Sequence, residues 1–120
     1  MSIRLLIVDD APFMRRSLSK LAEERGWKVV GEAANGKEAV DQYIAIKPDI
    51  VTMDITMPEM DGIEAVKAIM ALDPKARIVM CTALGQQDMV VDAVRAGAKD
   101  FIVKPFKKER VFAAIEEVFK

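Results

Sequence analysis

The stretch Leu5-Leu6-Ile7-Val8-Asp9-Asp10 is a short apolar run that stops abruptly at two carboxylates. Three further runs share this form, largely apolar residues followed at once by a polar one: residues 50–53 before Asp54, residues 78–81 before Thr82, and residues 101–103 before Lys104. Continuous Val, Ile and Leu runs are typical of parallel strands that are buried on both faces. Because the strands of an open parallel sheet end at one edge, we expect these polar side chains to meet in one crevice.

The apolar runs alternate with segments of helical pattern. We predict strands at residues 4–8, 28–33, 50–53, 77–82 and 100–103, and helices at residues 13–25, 36–47, 62–73, 87–96 and 107–119. Gly26 and Gly97 follow two of these helices, where a left-handed residue is favoured, and Pro48 blocks extension of a third. Pro12 suits the first turn of the first helix. Five strand–helix units predict an α/β fold with a doubly wound parallel sheet.

The length and charge of the chain limit the number of domains it can form and the kinds of partner it can bind. Its 120 residues fit one domain, and we expect residues 1–120 to form a single domain with no output domain attached. The 18 basic and 19 acidic residues give a formal charge of −1. This balance lacks the broad positive field that nucleic-acid binding needs, so nucleic acid is not an expected partner.

The numbers of cysteines and histidines and the lengths of the apolar runs indicate the cellular compartment and exclude some kinds of chemistry. The chain has one cysteine, no basic N-terminal segment that leads into an apolar one, and no apolar run near the ~18 residues of a membrane span. We therefore expect a cytoplasmic protein without a membrane partner, in which Cys81 is a packed core thiol. The sequence contains no histidine. Any phosphohistidine chemistry must then use a histidine on a partner.

The predicted crevice has a definite chemistry. Asp9, Asp10 and Asp54 would repel one another unless a cation or protonation relieves them. Mg²⁺ prefers oxygen ligands and is commonly held by one or two carboxylates plus a phosphate. Lys104 would add a second cation and Thr82 a hydrogen-bond donor. Asp54 is then predicted to act as a nucleophile that forms an aspartyl phosphate.

Each of these residues alone has a simpler interpretation. An aspartate at a strand end usually forms a turn or caps a helix, and a lone lysine before a proline is usually solvated. Their joint occurrence at four strand ends favours a functional site.

Four segments resemble the receiver domain of two-component response regulators, and most closely its stand-alone chemotaxis members. They are LLIVDD at residues 5–10, DIVTMDITMPEMDGIEAV at 49–66, CTA at 81–83 and AGAKDFIVKPF at 96–106. The resemblance covers essentially the whole chain. It implies a flavodoxin-like, five-stranded parallel sheet in the order 2-1-3-4-5 with five helices.

The resemblance also assigns roles in the crevice. It implies that Asp54 accepts a phosphoryl group from a histidine kinase. Asp10 and Asp54 are expected to ligate Mg²⁺ together with the Thr56 backbone carbonyl, and Asp9 to act through a metal-bound water. Thr82 and Lys104 would bind the phosphoryl oxygens, and the peptide bond that follows Lys104 is expected to be cis.

Other positions resemble the family's switch and output residues. Phe101 matches an aromatic that moves together with Thr82 on activation, although the best-known chemotaxis members have a tyrosine there. Two further residues match positions that tune phosphate hydrolysis in the family: Thr56, and Leu84, which lies two residues after Thr82. Residues 85–88, with a glycine and two glutamines, predict a mobile loop, or else one that rearranges on phosphorylation.

The predicted helix at residues 87–96 has an apolar arc formed by Met89, Val90, Val91, Ala93 and Val94. The arc is wider than core packing needs, so at least one of these residues should stay exposed to solvent. By resemblance Val90 is the best candidate, with Lys107, Lys108 and Arg110 as a basic border. The expected partners are a histidine kinase, a flagellar motor switch protein or other effector, and a phosphatase. We expect the protein itself to be a monomer.

The residues and the resemblance together favour a phosphorylation-activated binding switch, which would catalyse only its own phosphorylation and dephosphorylation. Two alternatives to this switch remain open at this point. A phosphorelay carrier would pass its phosphoryl group onward to a histidine phosphotransfer protein, and the sequence does not exclude it. A magnesium-dependent phosphatase of the aspartyl-phosphate kind has less support, since such enzymes typically have a second aspartate two residues after the nucleophile. Thr56 occupies that position here.

Overall fold

The computed structural model describes residues 2–120, and within this range five strands alternate with five helices. The strands are β1 (Arg4–Val8), β2 (Lys28–Ala33), β3 (Ile50–Asp54), β4 (Ile78–Thr82) and β5 (Asp100–Val103). The helices are α1 (Pro12–Glu24), α2 (Gly36–Ile46), α3 (Gly62–Leu72), α4 (Gln87–Ala96) and α5 (Lys108–Phe119). All neighbouring strands are parallel, in the order β2-β1-β3-β4-β5. The predicted flavodoxin-like α/β fold is confirmed.

Most differences from the predicted boundaries are one residue long and have local causes. The first helix begins at Pro12, whose fixed φ suits an initial turn. The second ends at Ile46 because Lys47 takes a left-handed conformation with φ of 50°. β3 extends to Asp54, which still pairs with Cys81 of β4. The last helix begins one residue late because Lys107 has an extended backbone.

Two apolar layers, one on each face of the sheet, hold the fold together. Alternate residues of β1 point to opposite faces, so Leu6 and Val8 pack with α2 and α3, whereas Leu5 and Ile7 pack with α1 and α5. Cys81 belongs to the second layer, where burial raises the pKa of its thiol. The double burial explains why the strands are continuous apolar runs. Each helix within residues 2–120 is too short or too polar to span a membrane.

Strand register brings the strand ends to one level. Val8 pairs with Met53, Asp54 with Cys81, and Thr82 with Val103. The polar residues at the ends of β1, β3, β4 and β5 therefore line the same edge of the sheet.

The segment after β3 packs closely against this edge. Gly62 donates its backbone N–H to the Ile55 carbonyl at 2.7 Å, and a side chain at Gly62 would overlap the Asp54 carbonyl oxygen. Asp61 and Glu64 form a capping box that starts α3 immediately afterwards. Glycine at this position allows the helix to begin directly beside the acidic residues.

Candidate functional site

Three carboxylates converge at the carboxyl edge of the sheet. One oxygen from each of Asp9, Asp10 and Asp54 lies within 4.8 Å of the others. Asp9 is 1% exposed and Asp54 is 7% exposed, whereas Asp10 is open to solvent. The structure therefore brings together the three acids that the sequence singled out, two of them in a buried setting.

Lys104 is the cation that faces these acids. Its Nζ lies 2.9 Å from Asp9 Oδ2 and 3.1 Å from Asp54 Oδ1. Its backbone N–H donates to the Thr82 carbonyl at 2.8 Å, which fixes the residue just beyond the end of β5. The peptide bond between Lys104 and Pro105 is cis, as the resemblance implied.

Backbone groups orient the two buried carboxylates. Asp9 Oδ1 accepts a hydrogen bond from the Ala11 N–H at 2.9 Å, and Asp54 Oδ1 accepts one from the Ile55 N–H at 3.0 Å. Arg15 donates to the Asp9 carbonyl at 2.6 Å. These bonds hold the carboxylates in place before any ligand arrives.

The electrostatic balance of the crevice disfavours negative charge. Burial, with a further contribution from the Asp9 charge, raises the pKa of Asp54 from 3.8 to about 6, although Lys104 acts in the opposite direction. Burial lowers the pKa of Lys104, but the Asp9 and Asp54 carboxylates outweigh it and the pKa is raised overall. One ammonium is thus insufficient to neutralise the three acids.

The donor set fits a hard divalent cation. Asp9 Oδ2 is buried, and the Lys104 ammonium contacts it at 2.9 Å as an ion pair. Oxygen ligands with excess negative charge are the preferred environment of Mg²⁺ or a similar ion. The acidic crevice can therefore hold a metal ion.

Thr82 lies at the end of β4 with 3% exposure, and among the hydrogen bonds within residues 2–120 its hydroxyl makes none to Asp54. It donates to Gln86 Oε1 or to the Ala83 carbonyl, both at 3.1 Å. Gln86 also donates from Nε2 to the Thr56 hydroxyl at 3.1 Å. Sequence reasoning does not single out Gln86, because the composition of residues 85–88 predicts only a loop. Its one signal was a long polar side chain four residues after the strand-end hydroxyl.

The residues assigned to switching and output border a groove between α4 and β5. The groove has a volume of about 340 Å³, and its apolar lining includes Leu84, Val90, Val91, Phe101 and Val103. Leu84 is 83% exposed and Phe101 is 38% exposed. The structure thus places Phe101, Leu84 and Val90 on one surface beside Thr82.

Two expectations about this surface need correction. Val90 is less exposed than expected, because it is partly buried and packs against the core. Three other residues of the arc are more exposed: Met89, Val91 and Val94. The reason is that Ala93 faces the core and Val90 lies one turn before it. Lys108 does not border the groove, because its ammonium pairs with Glu24 of α1 at 3.0 Å.

Arg110 and Lys107 remain on the groove side of α5. Both line a neighbouring pocket together with Leu84 and Val103. Arg110 is held in place by Asp100 at 3.0 Å and by the Phe101 carbonyl at 2.6 Å. The basic border is therefore narrower than the sequence suggested.

The fold and the crevice define a flavodoxin-like domain with an acidic edge that is able to bind a metal ion. The family model of the response regulator receiver domain matches residues 5–116. The chain is 59% identical to the chemotaxis protein CheY of Thermotoga maritima over the full length of both chains. It is 58% identical to the Bacillus subtilis chemotaxis protein CheY over 98% of each.

Solved structures agree with these sequence matches. One chain in the crystal structure of the CheX–CheY–BeF3–Mg²⁺ complex from Borrelia burgdorferi superimposes with a TM-score of 0.93 and 42% identity, over 98% of this chain and 90% of that one. The protein belongs to the response regulator receiver family and is a CheY-like signalling domain.

The raised pKa of Asp54 predicts a pH-dependent gain in stability for Asp54→Asn. Because the folded-state pKa lies above 3.8, the folded protein favours the protonated Asp54 carboxyl. The carboxyl therefore does not lower the stability of the wild type at low pH, and it lowers that stability increasingly as the pH rises through about 6. Asparagine does not ionise. In metal-free buffer at pH 8, the variant should be more stable than the wild type by up to about 3 kcal/mol.

This gain should shrink steadily as the pH falls from 7 toward 4, and urea unfolding at several pH values measures it. Asp41→Asn, at an exposed position of α2, is the control and should show no such trend. A loss of stability in Asp54→Asn at pH 8 would contradict the electrostatic account.

Proposed function

We propose that this domain is a phosphorylation-activated switch that takes a phosphoryl group onto Asp54 from a histidine kinase. The observation that carries the proposal is the position of Asp54, buried between a second carboxylate and the Lys104 ammonium at the strand ends. A pKa of about 6 leaves Asp54 mostly ionised at pH 7. It is therefore available as a nucleophile at neutral pH.

The transfer step exchanges one bond to phosphorus for another. An Asp54 carboxylate oxygen attacks the phosphorus, the P–N bond to the kinase histidine breaks, and the imidazole leaves with the bonding electron pair. The donor histidine belongs to the kinase, since this chain contains none. Lys104 lies where its ammonium can offset charge on the phosphoryl oxygens, and the Thr82 hydroxyl can donate to one of them.

The cofactor that fits the crevice is Mg²⁺. Asp9, Asp10, Asp54 and the Thr56 backbone carbonyl would hold it, and the bound ion would offset the negative charge of the incoming phosphoryl group. The presence of Mg²⁺ in the name of the Borrelia burgdorferi complex supports this choice. The convergence of three carboxylates on a single ammonium supports it independently.

Phosphorylation replaces the single negative charge of the Asp54 carboxylate with a phosphoryl group that carries roughly −1.5 to −2. This change draws the Thr82 hydroxyl and Lys104 toward the phosphoryl group and alters the groove between α4 and β5. Phe101 responds by changing its burial, even though it lacks a phenolic hydroxyl. Leu84 at the rim hinders attack by water and so lengthens the lifetime of the phosphate.

The partner of the activated form is a flagellar motor switch protein or another effector, and a phosphatase ends the signal. The chemotaxis names of the T. maritima and B. subtilis relatives support this assignment. We further propose that the protein acts as a monomer in the cytoplasm. Within residues 2–120 we find no feature that favours a phosphorelay carrier over this switch.

Acetyl phosphate labelling tests the phosphoacceptor. Incubation of the wild type with acetyl phosphate and Mg²⁺ should add one phosphoryl mass, as the P–O bond of the donor breaks and acetate leaves. Asp54→Asn should abolish the added mass, because the asparagine amide is not a nucleophile at neutral pH. Mass spectrometry of the intact protein measures the change. Asp41→Asn is the control, and equal labelling of Asp54→Asn would refute the assignment.

A charge placed in the groove should block output without blocking phosphorylation. Val90→Asp should weaken binding of a motor switch peptide to the phosphorylated protein at least ten-fold, because burial of an unpaired carboxylate costs on the order of 1–3 kcal/mol. Fluorescence anisotropy with the labelled peptide measures the affinity.

Ile44→Asp is the matched control for this variant. Ile44 is 53% exposed on α2, near the opposite edge of the sheet, and its replacement should leave the affinity unchanged. Equal binding by Val90→Asp and wild type, or equal binding with and without phosphate, would refute this output surface.

A further inference from the structure

The Gln86 side chain connects the ends of two strands above the acidic crevice. Its Oε1 accepts hydrogen bonds from the Ala83 N–H at 2.7 Å and from the Thr82 hydroxyl at 3.1 Å. Its Nε2 donates to the Thr56 hydroxyl at 3.1 Å. One amide thus links the Thr82 hydroxyl at the end of β4 with Thr56, the second residue after Asp54.

The orientation of this amide is fixed by its partners. A backbone N–H can only donate, so the group that faces Ala83 must be Oε1. The Nε2 group then faces Thr56, whose hydroxyl oxygen can accept. The Thr82 hydroxyl has a single hydrogen, which it gives to Gln86 or to the Ala83 carbonyl. It cannot donate to a phosphoryl oxygen on Asp54 while either bond persists.

We propose that Gln86 is a latch that stabilises the inactive state by holding the Thr82 hydroxyl away from Asp54. The proposal rests on the function proposed above and identifies what opposes activation. A phosphoryl group on Asp54 must compete with the Gln86 amide for the Thr82 hydroxyl. Gln86 is a positioning residue, since it acts through Thr82 and does not touch Asp54.

The same residue connects the latch with the output surface. Gln86 immediately precedes α4, and its carbonyl accepts the hydrogen bond from the Val90 N–H at 3.0 Å. Val90 lines the groove together with Phe101. When Thr82 leaves Gln86, the amide loses one of its two contacts to β4 and the loop after it. The first turn of α4 is then less constrained.

A typical neutral hydrogen bond shifts an equilibrium by roughly two- to ten-fold. Removal of the latch should therefore favour the active state by about five-fold, without any new contact to the ligand.

The test uses beryllofluoride with Mg²⁺ as a probe for the phosphoryl group. Gln86→Leu keeps the size of the side chain but removes its hydrogen bonds. This variant should bind the probe about five-fold more tightly than the wild type by isothermal titration calorimetry.

Gln87→Leu is the matched control. Gln87 is the next residue, it is exposed, and within residues 2–120 its side chain makes no hydrogen bond to protein. Its replacement should leave probe affinity unchanged. Gln86→Ala is a second version of the latch variant and should also bind more tightly than the wild type.

A double-mutant cycle tests whether Gln86 acts through Thr82. In a Thr82→Ala background, Gln86→Leu should no longer change probe affinity. In nitrogen–proton NMR spectra without probe, the Val90 amide signal of Gln86→Leu should move toward its position in the probe-bound wild type. Gln87→Leu should leave that signal in place.

The outcomes separate the two proposals. If the wild type neither binds the probe nor accepts phosphate on Asp54, the proposed function itself fails. If the wild type does both, but Gln86→Leu binds the probe equally or more weakly, the latch is refuted. Persistence of the Gln86→Leu effect in the Thr82→Ala background would also refute it.

Discussion

One ammonium among three carboxylates is the constraint on which the rest of this structure depends. Lys104 Nζ contacts both Asp9 and Asp54, yet the pKa of Asp54 still rises to about 6. Such a rise corresponds to about 3 kcal/mol of unfavourable charge. Each buried Leu, Ile or Val of the two apolar layers contributes about 1.5–3 kcal/mol. The core therefore tolerates a crevice that favours both a metal ion and a reactive carboxylate.

The parallel sheet is what makes this concentration of charge possible. Its strands are buried on both faces, so their side chains serve packing, and polar groups are left to the strand ends. Register then brings Asp9, Asp54, Thr82 and Lys104 to a common edge. The hydroxyl is not yet directed at Asp54 in this state, because Gln86 and the Ala83 carbonyl engage it. The site is thus assembled but not closed around its acceptor.

Much of this arrangement was predictable from the sequence because it depends on strand periodicity. The runs before Asp9, Asp54, Thr82 and Lys104 indicated both the sheet and the edge where these residues meet. Features that depend on side-chain conformation were not predictable. The partner of Lys108 is Glu24, 84 residues away, and the bond between Gln86 and Thr56 spans 30 residues. Helix ends such as Lys47 depend on a single left-handed residue, which a non-glycine side chain does not signal.

The central claim is that the crevice holds excess negative charge that a cation relieves. The most direct measurement is a carbon-13 NMR titration of the Asp54 carboxyl carbon, in metal-free protein and with saturating Mg²⁺. The account predicts a pKa of about 6 without metal and a fall of more than about one pH unit when Mg²⁺ binds beside the carboxylate. A metal-free pKa near the ordinary value of 3.8, or one that Mg²⁺ leaves unchanged, would contradict it.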